Sequence, residues 1–281
     1  MYNLEYSNDA ILNKKINQSI RLLKSLPDKV IEVSYSGGKD SDVILELAKM
    51  SGIKFKAIHK VTTIDPPYTI QHCINKGAEI IRPKYSMMEI IKKHGFPTRR
   101  SRHCCSILKE YPILEIAIQG IRRSESHKRK SMYKEPIICR NYGSKTKKAQ
   151  IILPILEWTD NDVEKFIIER NIQCSPIYYE NGYFDVTKRL GCMGCPLASD
   201  NGLKDFKRYP KLVKIWINAG LVWWHEHPCA KSRTKFNNIY ELFVHNVFFN
   251  SYEEFKLSVH SPIYGEVDCK KFLETYFSIN L

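Results

Sequence analysis

The sequence lacks any apolar run long enough to cross a membrane, and its first residues lack a basic start followed by an apolar block. A membrane helix needs about 20 consecutive apolar residues, so a spanning protein is not expected. The second absence argues against a secretory signal and predicts a cytoplasmic location. Internal repeats and low-complexity tracts are also missing. Hydrophobic residues form 43% and charged residues 26% of the 281 positions, which is typical of a globular protein with a sizeable core.

Acidic residues are in short supply relative to basic ones. The chain has 30 Asp and Glu against 44 Lys and Arg, which gives a net charge of +14 and a pI of about 9.3. This excess indicates a polyanionic partner, with tRNA or DNA as the first expectation. A solvated basic surface explains the charge equally well, because net charge alone names no partner.

Nine cysteines occur in a chain without an export signal, which argues against a disulfide framework. Metal binding or thiol chemistry is the alternative, and the spacing of the cysteines decides between them.

A glycine-rich turn lies between an apolar run and a helical pattern. Residues 30–35 are mostly β-branched or aromatic, which predicts a strand. Gly37 and Gly38 follow at once, and residues 43–48 then repeat apolar side chains at helical spacing. The sequence therefore predicts a strand, a tight turn and a helix start, and we call residues 36–41 the glycine loop.

The glycine loop has the chemistry of an anion site. Glycine lets backbone amides approach an anion closely, and a helix start adds unpaired N–H groups and the positive end of its dipole. Lys39 adds a full charge, while Ser36 and Ser41 add hydroxyl donors. A tight turn without a ligand is the bland alternative. The pattern is not the G-x-x-x-x-G-K-[ST] loop of kinases and GTPases.

Strands and helices alternate along the first part of the chain, which predicts a parallel sheet with helices on both faces. The expected strands beyond the first are 55–61, 78–82, 113–119 and 150–156, and the expected helices include 9–26, 86–94 and one capped by Thr159 with Asp162. Ligands of such sheets bind at the carboxyl ends of strands, which selects the glycine loop and the segment 62–65. After about residue 200 the pattern becomes helical and aromatic-rich.

A basic stretch follows Arg122 and Arg123, two residues suited to bidentate phosphate binding. We interpret residues 127–148 as a mobile loop around a short strand at 136–139, able to close over a large anion. A surface basic patch is the alternative for both arginines.

Two cysteine pairs stand out from the rest. Cys104 and Cys105 follow the arginine-rich segment 99–102, and nearby cations are expected to lower the pKa of their thiols. Cys192 and Cys195 form a C-x-x-C, and Gly191 before it and Gly194 within it free the backbone to curl around a metal. Together the pairs supply four thiolates, enough for a 4Fe–4S cluster or a structural zinc. A buried or catalytic thiol pair is the alternative for each.

These motifs in combination resemble a known family. The Ser-Gly-Gly-x-Asp-Ser loop is similar to the pyrophosphate loop of the ATP pyrophosphatase superfamily, and Cys-Cys followed by Lys and Pro, with a later Gly-Cys-x-x-Cys, resembles the iron–sulfur branch of the phosphoadenosine phosphosulfate (PAPS/APS) reductases. The segments 120–126 and 154–159 are also similar to family elements. The resemblance spans roughly residues 28–198.

The resemblance implies an α/β fold, with a Rossmann-like parallel sheet of five or six strands of the adenine nucleotide alpha-hydrolase type and a helical C-terminal appendix. Its implied cofactors are ATP with Mg²⁺ or a sulfonucleotide, and a 4Fe–4S cluster or zinc.

The implied nucleotide-site residues are Ser34, Ser36, Gly37, Gly38, Lys39, Asp40, Ser41, Thr62, Thr63, Arg122 and Arg123. Lys39, Asp40, Arg122 and Arg123 are the expected catalytic residues, and Cys104, Cys105, Cys192 and Cys195 the expected metal ligands. The implied division is 1–27, a helix; 28–198, the nucleotide domain; and 199–281, the appendix.

One departure from the family separates the functional alternatives. Sulfonucleotide reductases carry a Glu-Cys-Gly-x-His tail, whereas Cys269 here follows Asp268 and precedes two lysines. The apolar spacing after Cys269 predicts a docked helix there. ATP-dependent sulfur transfer to a nucleic-acid-type acceptor is therefore favoured over sulfonucleotide reduction with a thioredoxin-like reductant, and a non-catalytic binding module is the third alternative. The remaining cysteines, 73, 139, 174 and 229, are expected to be packing residues.

Overall fold

The computed structural model describes residues 4–111, 113–142, 147–261 and 265–281. The helices are α1 (Ala10–Lys24), α2 (Lys39–Ser51), α3 (Thr69–Asn75), α4 (Met87–His94), α5 (His103–Leu108), α6 (His127–Met132), α7 (Asp160–Glu169), α8 (Leu203–Arg208), α9 (Pro210–Glu226), α10 (Ile239–Phe248), α11 (Tyr252–Val259) and α12 (Cys269–Phe277). The strands are β1 (Ile31–Ser34), β2 (Phe55–Lys60), β3 (Glu79–Ile81), β4 (Ile116–Ile118), β5 (Ile137–Tyr142), β6 (Lys147–Ile152), β7 (His260–Ser261) and β8 (Gly265–Glu266). Within these ranges no helix has the length and apolarity that a membrane crossing requires.

A six-stranded sheet with the order β3-β2-β1-β4-β6-β5 carries the fold. Five of its strands pair in parallel, which confirms the predicted Rossmann-like sheet. The edge strand β5 is antiparallel to β6, so the sheet is mixed rather than wholly parallel. The short connection explains this difference, because only four residues separate β5 from β6 and a parallel pair needs a crossover of about a dozen or more.

The basic stretch 127–148 is more regular than the sequence suggested. The short strand expected at 136–139 is present as β5, whereas the mobile loop expected around it is wrong where α6 and the start of β6 lie. β6 begins with Lys147 and Lys148, whose polar character explains why the sequence predicts this strand only from residue 150. Lys145, one of the residues that motivated the loop, lies outside the described residues.

The chain divides into two compact units, each built from several segments. The first unit consists of Met1–Val61, Asp65–Arg82 and Glu110–Leu190. The second unit consists of Thr62–Ile64, Pro83–Lys109 and Gly191–Leu281. The division by sequence into 1–27, 28–198 and 199–281 stays a prediction.

In the first unit, apolar side chains from helices and strands form the core. α1 contributes Ile16, Ile20 and Leu23 at helical spacing, all of them buried. Burying an aliphatic side chain of this size contributes about 1.5–3 kcal/mol. The start of α7 is fixed by the predicted capping box, in which the Thr159 hydroxyl accepts the Asp162 N–H and the Asp162 carboxylate accepts the Thr159 N–H.

The second unit has an aromatic core. The Phe206 ring packs at 5.3 Å, centroid to centroid, against both Trp216 and Phe243. Gly220 of α9 lies against Phe96, where a Cβ would approach the ring to 2.4 Å, so only glycine fits there. The helical character predicted after residue 200 is confirmed by the run from α8 to α12.

Candidate functional site

The glycine loop connects β1 to α2 in the first unit, as predicted. Gly37 has a φ of +77°, a conformation that side-chain-bearing residues rarely adopt. A Cβ at this position would lie 3.0 Å from the Cys73 sulfur and 3.3 Å from Cγ2 of Thr69. Gly38 is the extended N-cap of α2 and supplies no side-chain cap. The turn therefore depends on glycine for both its backbone angles and its space.

Hydrogen bonds connect the glycine loop to the first turn of α2 and to a distant tyrosine. The Ser41 hydroxyl donates to the Gly38 carbonyl at 2.7 Å, and the Ser36 hydroxyl lies 3.3 Å from the Ser41 hydroxyl. The Lys39 N–H donates to the hydroxyl of Tyr178 at 3.0 Å. Tyr178 was not foreseen as a loop partner, because it lies far along the chain after the last helix of the unit.

Lys39 places a buried cation at the loop. Its side chain is 5% exposed, and its ammonium group lies 3.5 Å from the Asp40 carboxylate and 3.4 Å from the Lys188 carbonyl. The ring of Tyr178 lies 5.8 Å from the same group. A buried charge needs partners of opposite sign, and an anion bound at the loop would supply one.

Arg122 is fully buried and bonded to acids and a hydroxyl. Its Nε donates to Asp40 and one Nη to Asp160, both at 2.7 Å, while the other Nη donates to Ser124 at 3.0 Å. Burial alone would lower the pKa of Arg122, but the charges of Asp40 and Asp160 outweigh it and raise the pKa. Arg122 thus fixes Asp40 beside the loop, and its predicted role as a phosphate ligand stays a prediction.

Arg123 ties down the segment that leads into β5. Its guanidinium donates to the Tyr133 carbonyl at 2.7 Å, and also to the Lys134 carbonyl and the Glu157 carboxylate. The structure therefore places the two arginines in different hydrogen-bond networks. Phosphate binding by Arg123 also stays a prediction.

Ser34 faces a buried acid. Its hydroxyl donates to Glu32 at 2.9 Å, and the same carboxylate accepts from Lys60 at 3.0 Å and from the backbone N–H groups of Ile113 and Leu114. Glu32 is 0% exposed, so its charge depends on these partners. Sequence reasoning missed Glu32 and Lys60, which look like ordinary polar strand residues.

Thr62 and Thr63, predicted as nucleotide ligands, belong to the second unit. Thr62 is buried, and the Cys192 thiol donates to its hydroxyl at 3.6 Å. Thr63 has a φ of +63°, unusual for a β-branched residue, and its hydroxyl accepts the Met87 N–H at 2.8 Å. The Met193 N–H donates to the Ile64 carbonyl, so this short segment lies along the C-x-x-C turn.

The four predicted metal ligands all lie in the second unit, and we call them the thiol cluster: Cys104, Cys105, Cys192 and Cys195. Cys104 and Cys105 open α5, while the C-x-x-C turn is anchored by the Gly194 N–H, which donates to Asp205 at 2.9 Å. The thiols influence one another, because the charges of the other three contribute to raising the pKa of Cys104.

The arginine-rich segment does not lower the pKa of Cys104 as expected. A hydrogen bond with Cys105, burial and the neighbouring thiols raise the pKa of Cys104, and burial together with Cys192 and Cys105 raises that of Cys195. Lys109 opposes the rise at Cys195. The expectation was wrong because mutual repulsion and burial outweigh nearby cations.

The thiol cluster fits a metal in ligand type and number but is not assembled as a closed site. Within the described ranges, no three or more His, Cys, Asp or Glu side chains are arranged to hold a metal ion. Four cysteine sulfurs are the donor set that a 4Fe–4S cluster or zinc prefers, and the metal charge would offset the repulsion between neighbouring thiolates.

The other cysteines divide into buried and exposed residues. Cys73 and Cys174 are buried as predicted, but Cys139 and Cys229 are exposed and do not pack. Cys139 is on the edge strand β5 and Cys229 lies in the turn after α9. Cys269 begins α12 as predicted and is 3% exposed; burial, then Glu241 and Asp268, raises its pKa to about 12.

Comparison with known proteins places these motifs in one family. The family model described as the phosphoadenosine phosphosulfate reductase domain matches residues 30–198, more than half of the chain. The chain belongs to the PAPS reductase family. The family match includes the glycine loop, Arg122, Arg123 and all four residues of the thiol cluster, so it confirms the resemblance drawn from these motifs.

Individual relatives of this PAPS reductase family chain are distant. An uncharacterised protein of Methanocaldococcus jannaschii is 29% identical over 210 residues, which cover 67% of this chain and 47% of the relative. The chain thus spans about half the length of this curated relative.

Two solved structures are similar at low scores. Candida auris PAPS reductase, in a phosphate complex, has 19% identity and a TM-score of 0.45, covering 62% of this chain and 88% of that one. The U34-tRNA thiolase NcsA of Methanococcus maripaludis, with its 4Fe–4S cluster, has 13% identity and a TM-score of 0.39, covering 82% and 86%. Similarity this distant carries no inference about activity.

Proposed function

We propose that the chain binds ATP at the glycine loop and uses it to activate an acceptor for sulfur transfer. The observation that carries this proposal is the loop itself, where Gly37 and Gly38 open α2 beside the buried ammonium group of Lys39. A helix start and a desolvated cation together favour a multiply charged phosphate.

In the proposed reaction an oxygen of the acceptor attacks the α-phosphorus of ATP. The bond to the β-phosphate oxygen breaks, and pyrophosphate leaves with its electron pair. A sulfide-level sulfur donor then attacks the activated carbon, the carbon–oxygen bond breaks, and AMP leaves. Both steps are substitutions, so neither needs an oxidant or a reductant. The glycine loop and Lys39 bind the leaving pyrophosphate, while Arg122 keeps Asp40 beside them.

The thiol cluster is proposed to hold a metal centre that takes part in the sulfur chemistry. Cys104, Cys105, Cys192 and Cys195 would be its ligands, and a 4Fe–4S cluster would supply a site for binding or delivering sulfur. The acceptor is proposed to be nucleic acid, tRNA before DNA, because the chain carries a charge of +14.

Reduction of a sulfonucleotide is the second candidate, and the family membership favours keeping it. That reaction requires a thiolate outside the metal ligands to attack sulfur and a thioredoxin-like protein to release it. Cys269 is a poor candidate, because it is buried in the first turn of α12 and its pKa is raised to about 12. The third alternative, a binding module without catalysis, does not explain why four cysteines are clustered.

Calorimetry tests the nucleotide site. Changing Lys39 and Ser36 together to Ala should weaken ATP binding at least about tenfold, or ~1.4 kcal/mol, because a charge and a hydroxyl donor leave the loop. Lys165→Ala is a matched control, since this lysine pairs with Asp9 in the same unit away from the loop. An unchanged ATP affinity in the double variant would remove the glycine loop from the site.

Sulfite measurement tests the second candidate. PAPS incubated with the protein and thioredoxin should yield no sulfite, and Cys269→Ser should retain the activity of the unchanged protein. Sulfite formation that disappears in Cys269→Ser would install the reductase instead.

A further inference from the structure

A buried polar network lies directly behind the glycine loop. The hydroxyl of Tyr35 donates to Oδ1 of Asp42 and lies 3.0 Å from Nε2 of His72. The same imidazole nitrogen lies 3.3 Å from Oδ1 of Asp42. All three residues are at least nine-tenths buried, and all belong to the first unit.

The network connects the three elements that shape the loop. Tyr35 is the residue immediately before the loop, and Asp42 is in the first turn of α2, where its N–H donates to the Gly38 carbonyl at 3.0 Å. His72 lies on α3. A single carboxylate oxygen therefore joins the entry of the loop, its exit and a neighbouring helix.

The helix α3 also contacts the loop itself. Thr69 and Cys73, three before and one after His72, are the side chains that a Cβ at Gly37 would meet, at 3.3 Å and 3.0 Å. One face of α3 thus touches the tightest turn of the loop and bonds to the network behind it. A shift of α3 would therefore move the side chains that pack against Gly37.

Asp42 is costly to bury, and stability alone does not explain it. Its side chain is 1% exposed, and Tyr35 and His72 share its Oδ1. Cys174 also contacts this carboxylate, and burial, then the charge of Asp42 and a hydrogen bond with it, raise the pKa of the Cys174 thiol. Burial and the charge of Asp42 raise the pKa of Cys73 to about 12. Burying a carboxylate is costly and a buried ion pair is weak evidence of stabilisation, so Asp42 points to a role other than stability.

We propose that Asp42 is a positioning residue which, with Tyr35 and His72, holds the glycine loop in the shape that binds the β- and γ-phosphates of ATP. This inference rests on the proposed nucleotide binding at that loop. Backbone N–H groups bind an anion only when they converge on it, so a shared anchor on both sides of the turn preorganises the site. The network touches no phosphate in this assignment and acts through the backbone.

The experiment compares ATP with AMP, which lacks the two phosphates assigned to the loop. Asp42→Asn keeps the shape of the side chain but removes its charge, and should weaken ATP binding about tenfold while AMP binding changes less than about twofold. Tyr35→Phe and His72→Asn should each produce a smaller effect in the same direction. Combined with Asp42→Asn, each should add little, because the partners act as one unit.

Asp162→Asn is the matched control. Asp162 is also a buried aspartate in the first turn of a helix of the same unit, bonded to Lys15 and Thr159. This variant should lower thermal stability without changing the affinity for ATP or AMP. If Asp42→Asn fails to fold, Tyr35→Phe carries the test, since it removes a hydroxyl and leaves the ring in the core.

The outcomes separate the inference from the function on which it rests. Folded variants that bind ATP as tightly as the unchanged protein, or lose ATP and AMP binding equally, would overturn the positioning role while leaving the ATP site intact. An unchanged protein that binds neither nucleotide would overturn the proposed function, and the positioning role with it. Selective loss of ATP binding supports both.

Discussion

The glycine loop and the thiol cluster are built in opposite ways. The loop is one contiguous stretch whose turn, helix start and buried lysine are all in place and held by named hydrogen bonds. The thiol cluster joins residues almost ninety positions apart, and its sulfurs are neighbours without forming a closed metal-holding group in the described chain. A preformed anion site needs only the fold, whereas a thiolate site is completed by its metal.

The largest effect is expected at the thiol cluster. Replacing any one of its four cysteines by Ser should abolish most metal binding and lower stability by several kcal/mol, because metal binding is coupled to folding. Metal and sulfide analysis after anaerobic purification, with thermal unfolding, measures both. Brown protein with labile sulfide identifies a 4Fe–4S cluster, and colourless protein with one zinc identifies the structural alternative.

Cys229→Ser is the control for that series, since Cys229 is an exposed cysteine of the same unit. It should leave metal content and stability unchanged. If the unchanged protein is folded and active without metal, the claim that a metal completes the thiol cluster is contradicted.

A large effect is also expected at the tightest turn of the glycine loop. Gly37→Ala forces a positive φ on alanine and places a Cβ 3.0 Å from the Cys73 sulfur, so ATP binding should fall about tenfold or more at a stability cost of about 1–3 kcal/mol. Calorimetry with ATP measures the first, and denaturant unfolding the second.

Gly52→Ala provides the comparison for strain alone. Gly52 has a φ of +72°, but no atom lies within 4 Å of its added Cβ. It should lose some stability and keep full ATP affinity. Equal losses of ATP affinity in both variants would show that backbone strain alone explains the effect and would contradict a role of Gly37 in the ATP site.

The sequence predicted the glycine loop itself but not the distant residues that contact and support it, for one physical reason. The conformation of residues 36–41 is determined locally, because glycine, a helix start and a lysine follow one another directly in the sequence. Tyr178 and His72 contact or support the loop from distant positions, and no local pattern marks them. Asp42 could have been singled out only as the second acidic residue in the first turn of α2.

Thr62 and Thr63 show the same limit at a strand end. Their position after β2 predicts contact with the nucleotide, which stays a prediction, but it does not predict their observed partners: the Cys192 thiol for Thr62 and the Met87 N–H for Thr63. Strand order tells which edge of the sheet a residue occupies, but side-chain partners depend on packing. The sequence predicted a short strand at 136–139, where β5 lies, but not its antiparallel pairing with β6, because pairing depends on which strand packs beside it.

Thr62→Val sharpens the comparison with a smaller effect. The substitution keeps the volume and removes the hydroxyl next to Cys192, so metal affinity should fall about tenfold while ATP affinity stays unchanged. Competition with a chelator for Zn²⁺ measures the first and calorimetry the second. Thr62→Ser should restore metal affinity; loss of ATP binding instead would return Thr62 to the nucleotide site.

The smallest effect is expected in the basic segment 127–148. Lys128 and Lys130 are exposed on α6, and changing each to Ala should reduce the salt dependence of tRNA binding by about one unit of the log–log slope. Gel shifts across a salt series measure this. Lys256, exposed on α11, is the control, and an absence of tRNA or DNA binding at low salt would assign the charge to solvation alone.

The release of pyrophosphate from ATP tests the central claim most directly. With tRNA, a sulfide donor and anaerobically prepared protein, we predict that AMP and pyrophosphate form in equal amounts and only when the acceptor is present. Lys39→Ala should remove most of this release, because the loop would lose its buried cation. ADP and phosphate as the products, or sulfite from PAPS in the same preparation without any pyrophosphate from ATP, would contradict the account.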